Sequence, residues 1–241
     1  MPPTPTGRGL TVERLIRFED GAELSALVWR AGPGWRMVSS AVLGGGLGER
    51  LWVLNAQVRH GYRRVDPAEH LKELAAAAGL SGDGVGLMTA ADVEAHTRAD
   101  DGGAEAVVTA GIEVRGWAAA PAVPAPTAVP APTAVPAPAA APAPAPGPRA
   151  FAPGTINVVA AVPVPLSDAA LVNAVATAVE AKVQALVEAG LDCSGTPTDA
   201  ICVASRVPRP GEEPHSFAGP RSLWGARLAR AVYGAVLDAV T

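Results

Sequence analysis

Five short segments rich in small residues, each next to an apolar run, carry the residue types best suited to chemistry. Glycine and alanine let a ligand approach the backbone closely, while Thr, Asn and Asp place hydrogen-bonding groups on short side chains. The repetition predicts one site assembled from several strand ends; the alternative is five ordinary tight turns. The segments are 39–49, 87–92, 107–112, 154–159 and 194–201.

A lysine occupies an unexpected position on the helix predicted after Ser167. At about 100° per residue, Lys182 lies at the seam between an aliphatic arc and an alanine arc. It cannot pair with Glu180, because residues two apart point in different directions on a helix. We expect Lys182 to be partly buried, either with its amine reaching water or as a site residue with an acceptor from elsewhere in the chain.

Other polar residues lie in or beside apolar strands. Asn55 and Asn157 interrupt apolar runs, and a buried amide needs hydrogen-bond partners. His60 follows a strand end and is either a site residue or an exposed loop histidine. Cys202 falls inside an apolar strand, which favours a buried thiol over a nucleophile.

Composition excludes several classes of protein. The chain has 241 residues, a net charge of −4 and no basic cluster, so nucleic-acid binding is not expected. The sequence contains neither a Gly-x-Ser-x-Gly elbow nor a His-Glu-x-x-His motif, and its two cysteines form no CxxC pair. We therefore predict no metal site. No run of eighteen apolar residues is uninterrupted, which predicts no membrane span and, without a signal peptide, a cytoplasmic location.

A stretch of Ala, Pro, Val and Thr divides the chain at residues 117–150. Proline fixes φ and removes backbone donors, so this stretch is predicted to be extended or disordered. It either links two domains or forms an insertion within one. The C-terminal part offers only two strands, too few to stand alone. We therefore predict one domain from residues 11–116 plus 151–241, with a disordered tail at residues 1–10.

The remaining patterns predict a mixed α/β (α+β) fold, with a partly antiparallel sheet covered by helices. Asp66 and Pro67 are predicted to open a helix that Gly79 closes, and Ser167 to cap a helix that runs to about Ala189. Further helices are predicted over 91–98 and 221–240. The predicted strands are 12–18, 23–29, 36–43, 51–58, 85–89, 106–112, 155–162 and 200–205.

The order of these motifs resembles the adenosylcobinamide amidohydrolase family. The resemblance covers about residues 36–116 and 151–240, and rests on the following ordered set: Ser-Ser-Ala with its glycines, Leu-Met-Thr-Ala-Ala, Val-Thr-Ala-Gly, Gly-Thr-Ile-Asn, Glu-Ala-Lys and Thr-x-Thr-Asp-Ala-Ile. It implies hydrolysis of the amide that joins aminopropanol to the corrin propionyl side chain, giving adenosylcobyric acid for cobamide salvage. The corrinoid would be the substrate, and no cofactor would be required.

Two departures from the family pattern stand out. Gly44-Gly45-Gly46 replaces an Asn-Gly-Gly sequence, and Pro197 stands where relatives have glycine. Because proline has no N–H, an oxyanion donor at that position would be lost. These departures motivate an alternative, a corrinoid-binding protein without hydrolytic activity. A second alternative is an interaction protein that uses its Pro/Ala arm.

Amide hydrolysis requires a base, a proton donor and an oxyanion stabiliser. We predict Asp199 or Glu180 as the base, acting on water or on a threonine hydroxyl such as that of Thr198, with Lys182 orienting the base or binding the oxyanion. The other candidates are predicted to bind substrate. They are Gly44, Gly45, Gly46, Asn55, His60, Thr89, Thr109, Gly111, Gly154, Thr155, Asn157 and Thr196.

Overall fold

The computed structural model describes residues 9–120 and 154–241. Residues 1–8 of the predicted tail and residues 121–150 of the predicted insertion lie outside that description. The strands are β1 Glu13–Glu19, β2 Ala22–Trp29, β3 Trp35–Ser39, β4 Gly46–Glu49, β5 Trp52–Gln57, β6 Gly84–Thr89, β7 Thr97–Asp101, β8 Ala104–Ile112, β9 Gly154–Val162 and β10 Ala200–Arg206. The α-helices are α1 Pro67–Ala77, α2 Asp168–Glu188 and α3 Leu223–Val240.

The strands form two sheets. Sheet 1 has the order β1-β2-β5-β6, and sheet 2 has the order β4-β3-β10-β9-β8-β7. The β5–β6 and β9–β10 pairs are parallel, and the other pairs are antiparallel. The predicted mixed α/β class is confirmed, with the strands divided between two sheets rather than joined in one.

The two sheets pack face to face, with helices on both outer surfaces. Alternation along each strand sends one set of side chains, such as Val159 and Cys202, between the sheets. The other set in sheet 2, such as Val158 and Val203, packs under α2 and α3. Helix α1 covers the outer face of sheet 1 through Leu71. The result is four layers, helix, sheet, sheet and helix pair.

Strands from before and after the Pro/Ala stretch lie side by side in sheet 2. β8 pairs with β9 over a register that runs from Glu105 opposite Ala161 to Ile112 opposite Gly154. The chain that leaves β8 is also held to the loop before β10, because the Gly116 N–H donates to the Gly195 carbonyl at 3.0 Å. The predicted domain bounds stay a prediction.

Two of the predicted helix starts have different outcomes. The Ser167 hydroxyl caps α2, accepting from the Ala170 N–H at 3.1 Å, as predicted. Pro67 begins α1 as predicted, but the Asp66 side chain makes no capping bond. Its carboxylate instead accepts from Arg64, with Nε at 3.0 Å and Nη2 at 2.8 Å, and a bidentate guanidinium is a stronger donor than a helix N–H.

The helix predicted over 91–98 is wrong. One 3₁₀ turn forms at Val93–Ala95, where the Asp92 side chain accepts from the Glu94 N–H at 2.9 Å. The chain then enters β7, which pairs with β8 from Thr97 to Asp101. The local pattern of this segment is compatible with a helix or a strand, and pairing with the neighbouring strand β8 decided between them.

Helix α2 has the length and hydropathy of a membrane span, yet half of its most apolar window is buried in the protein. Its apolar residues pack on sheet 2 and against α3, as in the core helix of a globular domain.

Candidate active site

A cleft of about 570 Å³ opens at one end of the sandwich. There the loops that follow β5, β6 and β8 meet the first residues of β9 and the loop before β10. Three of the five small-residue segments, 87–92, 154–159 and 194–201, line this cleft, and a fourth, 107–112, lies beside it in sheet 2. The lining residues are Arg59, His60, Gly61, Tyr62, Arg63, Ala90, Val114, Gly154, Thr155, Pro197 and Thr198.

Asp199 is the centre of a polar group next to the cleft, here called the anchor cluster: Lys182, Thr196, Asp199 and the Ile156 N–H. The Asp199 carboxylate accepts from the Ile156 N–H at 2.8 Å and from the Thr196 N–H at 3.1 Å, and it forms an ion pair with the Lys182 ammonium. The Thr196 hydroxyl lies 2.6 Å from the same carboxylate. These contacts hold the loop before β10 against both β9 and α2.

The predicted burial of Lys182 is confirmed, since the residue is 6% exposed. Its acceptor, the Asp199 carboxylate, comes from the loop before β10. Gly195 makes this pairing possible. Its φ is +146°, and a Cβ there would collide with both the Asp199 carboxylate and the Lys182 amine.

Two threonine hydroxyls meet where the anchor cluster reaches the cleft. The Thr155 and Thr198 Oγ1 atoms are 2.6 Å apart, and the Thr198 hydroxyl donates to the Gly154 carbonyl at 2.9 Å. With the Thr198 hydrogen used in this way, Thr155 donates to Thr198 and keeps its lone pairs free. The pair therefore presents a hydrogen-bond acceptor at the start of β9.

An asparagine pair joins the two sheets further in. The Asn157 Nδ2 donates to Asn55 Oδ1 at 2.8 Å and to the Met88 carbonyl at 3.2 Å, and the Asn55 Nδ2 donates to Thr109 Oγ1 at 2.9 Å. Asn157 lies two residues along β9 from Thr155 and so faces the same side of the sheet. Within residues 9–120 and 154–241, the buried Asn157 Oδ1 has no hydrogen-bond partner.

Two more predicted residues lie near this end in supporting positions. The buried Thr89 hydroxyl accepts from the Ala91 N–H at 3.0 Å and shapes the turn after β6. Gly111 pairs with Thr155 in the β8–β9 register, so it lies in the sheet beside the cleft.

The remaining predicted site residues lie elsewhere. Glu180 is exposed on α2, two residues from the buried Lys182. Gly44 lines a separate cleft of about 390 Å³, together with Arg50 and Lys72. A Cβ on Gly44 would strike the Gly84 carbonyl, so this glycine is explained by close packing against β6.

Gly45 and Gly46 also lie outside the lining of the cleft. Gly45 packs against the carbonyls of Ser39 and Ala41, and Gly46 begins β4. Segment 39–49 reaches the β10 end through its serines: the Ser39 hydroxyl donates to the Ile201 carbonyl at 3.0 Å, and the Ile201 N–H donates to Ser40 Oγ at 3.1 Å.

Sequence reasoning missed the contribution of the loop after β5. Besides His60, this loop brings Arg59, Tyr62 and Arg63 into the cleft lining. The Tyr62 hydroxyl is 2.9 Å from Nδ1 of His70, which is buried on α1. A signal was present in the sequence, because His70 interrupts the apolar face of α1 beside Leu71.

The charged side chains just after the cleft-lining residues of the loop that follows β5 form hydrogen-bonded ion pairs. Arg64 binds both Asp66 and Glu73, and its hydrogen bonds hold the pKa of each carboxyl below its usual value. Burial raises the pKa of the Tyr62 hydroxyl, so it stays protonated at neutral pH. Burial also raises the pKa of the Cys202 thiol to about 12, and its predicted place in the core is confirmed.

No group of three or more His, Cys, Asp and Glu side chains in the described parts of the chain is arranged to hold a metal ion. Among the described residues, the lining of the cleft also holds no carboxylate. The polar groups that face a ligand there are hydroxyls, an imidazole, guanidinium groups and backbone amides.

Comparison with known proteins gives the same family that the order of the sequence motifs resembles. The family model for adenosylcobinamide amidohydrolase matches residues 11–241. A protein from Methanosarcina mazei, named adenosylcobinamide amidohydrolase, is 30% identical over 183 residues, which cover 76% of this chain and 72% of that protein. The chain therefore belongs to the adenosylcobinamide amidohydrolase family.

Proposed function

We propose that this amidohydrolase cleaves the amide between aminopropanol and the corrin propionyl side chain of adenosylcobinamide, releasing adenosylcobyric acid and aminopropanol. Family membership supports the substrate class. The observation that carries the proposal is the cleft at the end of the sandwich, where His60, Tyr62, Thr155 and Thr198 converge.

The size of the cleft suits one arm of a corrinoid. A volume of about 570 Å³ lies within the range of small-molecule sites. In this proposal the aminopropanol arm and the adjoining edge of the ring enter the cleft, and the rest of the macrocycle stays outside. Ala90, Val114 and Pro197 supply apolar contacts at the walls.

The threonine pair and His60 would orient the scissile amide. Thr155 Oγ1 keeps lone pairs free, so it would accept the amide N–H. An N–H of the exposed His60 would donate to the carbonyl oxygen and stabilise the oxyanion that forms when water attacks. Pro197 has no backbone N–H that could stabilise the oxyanion, so the His60 side chain would supply that hydrogen bond.

Asp199 and Lys182 take a positioning role in this proposal. The Asp199 carboxylate already accepts from two backbone N–H groups and an ammonium, so its lone pairs are committed to holding the loop. Glu180 is exposed on α2, away from the cleft lining. In this proposal the base for the attacking water is therefore a residue of the cleft wall.

The wider role proposed is salvage of cobinamide in the cytoplasm, with the corrinoid as substrate and without a metal or other cofactor. A small-molecule partner suffices for this role, and it calls for neither nucleic acid nor a membrane. Hydrolysis that survives treatment with a chelator, in protein shown to be metal-free, supports the proposal that no metal is required. A loss of hydrolysis that added zinc restores overturns it.

The test is to incubate purified protein with adenosylcobinamide and to quantify both products by liquid chromatography and mass spectrometry. Stoichiometric adenosylcobyric acid and aminopropanol are the expected result. Tight binding without product would instead identify a corrinoid-binding protein. Full activity after deletion of residues 121–150 is also expected, whereas a protein that works through its Pro/Ala arm would lose its function.

Thr155→Val keeps the shape of the side chain and removes the acceptor. We expect kcat/KM to fall about tenfold, the effect of one hydrogen bond worth about 1.4 kcal/mol. The matched control is Thr11→Val, at an exposed position before β1, which should stay within about twofold of the wild type. An unchanged kcat/KM in Thr155→Val would contradict the placement of the amide.

A further inference from the structure

Three side chains from three elements form a line that ends in the cleft wall. The Tyr62 hydroxyl, on the loop after β5, lies 2.9 Å from Nδ1 of His70 on α1. The His70 Nε2 lies 3.1 Å from a carboxylate oxygen of Glu19, the last residue of β1. Glu19 is fixed in turn by the Arg17 Nε at 2.9 Å.

The partners of His70 assign its hydrogens. A carboxylate can only accept, so Nε2 carries a hydrogen and donates it to Glu19. In the neutral ring, Nδ1 is then an acceptor, and the Tyr62 O–H donates to it. His70 is 3% exposed, so water does not compete for either nitrogen. The phenol, the imidazole and the carboxylate are thereby connected in a single direction of donation, from Tyr62 at the cleft wall through His70 to Glu19.

We propose that Tyr62 is the catalytic proton carrier of the amide hydrolysis, with His70 and Glu19 as the positioning residues that accept and stabilise its proton. This inference rests on the proposed function and supplies a base for the attacking water, since His60 is assigned there as the donor to the oxyanion. It also assigns a purpose to a buried histidine that hydrophobic packing of α1 does not require.

The step balances without a redox partner. As the water oxygen bonds to the amide carbon, one water proton passes to Tyr62 Oη and the Tyr62 hydroxyl proton passes to His70 Nδ1, giving an imidazolium opposite Glu19. When the C–N bond of the tetrahedral intermediate breaks, the proton returns through Tyr62 to the leaving amine nitrogen. One water is consumed, and an acid and an amine are released.

The charges around Tyr62 suit a carrier that stays neutral between turnovers. Burial is the main cause of its raised pKa; Glu19, Asp66 and Glu73 add to the rise, and Arg64 opposes it. A phenol that remains protonated at neutral pH passes a proton on without holding a phenolate charge. Arg64 binds Asp66 and Glu73, whose negative charges oppose its effect on the pKa of the hydroxyl.

The experiment compares Tyr62→Phe and His70→Asn with two matched controls, Tyr233→Phe on α3 and His96→Asn after the 3₁₀ turn. We expect Tyr62→Phe to lower kcat by about 10²–10⁴-fold, the usual range for a lost proton-transfer group, with KM within about threefold of the wild type. The controls should keep wild-type kcat. A rise in KM alone in Tyr62→Phe, with kcat unchanged, overturns the relay.

A proton inventory separates a relay from a structural contact. Two protons move in one step in the wild type, so the dependence of kcat on the deuterium fraction of the solvent should be curved, and it should become linear in His70→Asn. Glu19→Gln should lower kcat about tenfold and decides the question if Tyr62→Phe does not fold. Wild-type kcat in Glu19→Gln, or a curved inventory in His70→Asn, overturns the inference. Absence of aminopropanol release by the wild type would instead overturn the proposed function.

Discussion

The anchor cluster and the cleft wall lie side by side but use polar groups in opposite ways. In the anchor cluster, the Asp199 carboxylate is occupied by backbone N–H groups and by the Lys182 ammonium. In the cleft wall, His60 is exposed and Tyr62 is half-buried, with one side towards the open cleft. One region consumes its hydrogen-bonding capacity in holding the chain, and the other keeps capacity for a ligand.

This difference favours the assignment of catalytic roles from unused hydrogen-bonding capacity as well as from residue type. An aspartate and a lysine are the groups that chemistry most readily assigns to acid–base work, and here their contacts hold the loop before β10 against β9 and α2. A buried pair of opposite charges is costly to break, because removing one partner leaves the other charge without compensation. Groups with unused capacity at a cleft are better candidates for contact with substrate.

The largest expected effect is on stability, from breaking the anchor cluster. Lys182→Met leaves Asp199 charged and buried, so the free energy of unfolding should fall by about 3–5 kcal/mol. Urea denaturation followed by circular dichroism measures it. The loss should be smaller in the double variant Lys182→Met/Asp199→Asn, which removes both charges and keeps an acceptor for the Ile156 and Thr196 N–H groups.

Lys72→Met is the control for that measurement. Lys72 is an exposed lysine that meets Glu69 at 3.1 Å on the surface of α1, and its loss should change the free energy of unfolding by less than about 0.5 kcal/mol. Equal stability losses in Lys72→Met and Lys182→Met would remove the distinction between the two regions.

The next effect tests the cleft wall and is on activity. His60→Ala removes a donor to the developing oxyanion, so kcat should fall about 10²-fold while the free energy of unfolding changes by less than about 0.5 kcal/mol. Steady-state kinetics and urea denaturation of the same preparation measure both quantities. His215→Ala, in an exposed loop before α3, serves as the control and should leave both unchanged. Wild-type kcat in His60→Ala would exclude the donor role.

The smallest effect is expected at Cys202, which lies in β10 three residues after Asp199. With the thiol pKa raised to about 12, the thiolate fraction at pH 8 is about 10⁻⁴, against about a quarter for an exposed cysteine. Iodoacetamide at pH 8 should leave the native protein unlabelled and fully active by mass spectrometry and product assay. Labelling should be complete in urea. Rapid loss of activity with native labelling at Cys202 would reverse the assignment of this thiol to the core.

Local patterns in the sequence determined much of the fold. The burial of Lys182 follows from helical periodicity, and the start of α2 follows from the Ser167 cap, because both depend on neighbours within a few residues. The small-residue segments at strand ends were likewise visible in the sequence, and three of them line the cleft. Where a local pattern allowed two structures, as in 91–98, the sequence did not decide, since pairing with β8 supplied the deciding interactions.

The partners of the polar residues were decided by tertiary structure alone. Asn55 meets Asn157 across the two sheets, and their pairing depends on strand order, which composition and periodicity do not encode. The same holds for Tyr62 and His70, whose contact requires the loop after β5 to fold back over α1. Periodicity determines which face of an element is buried; only the packing of distant elements determines which polar group each buried polar group meets.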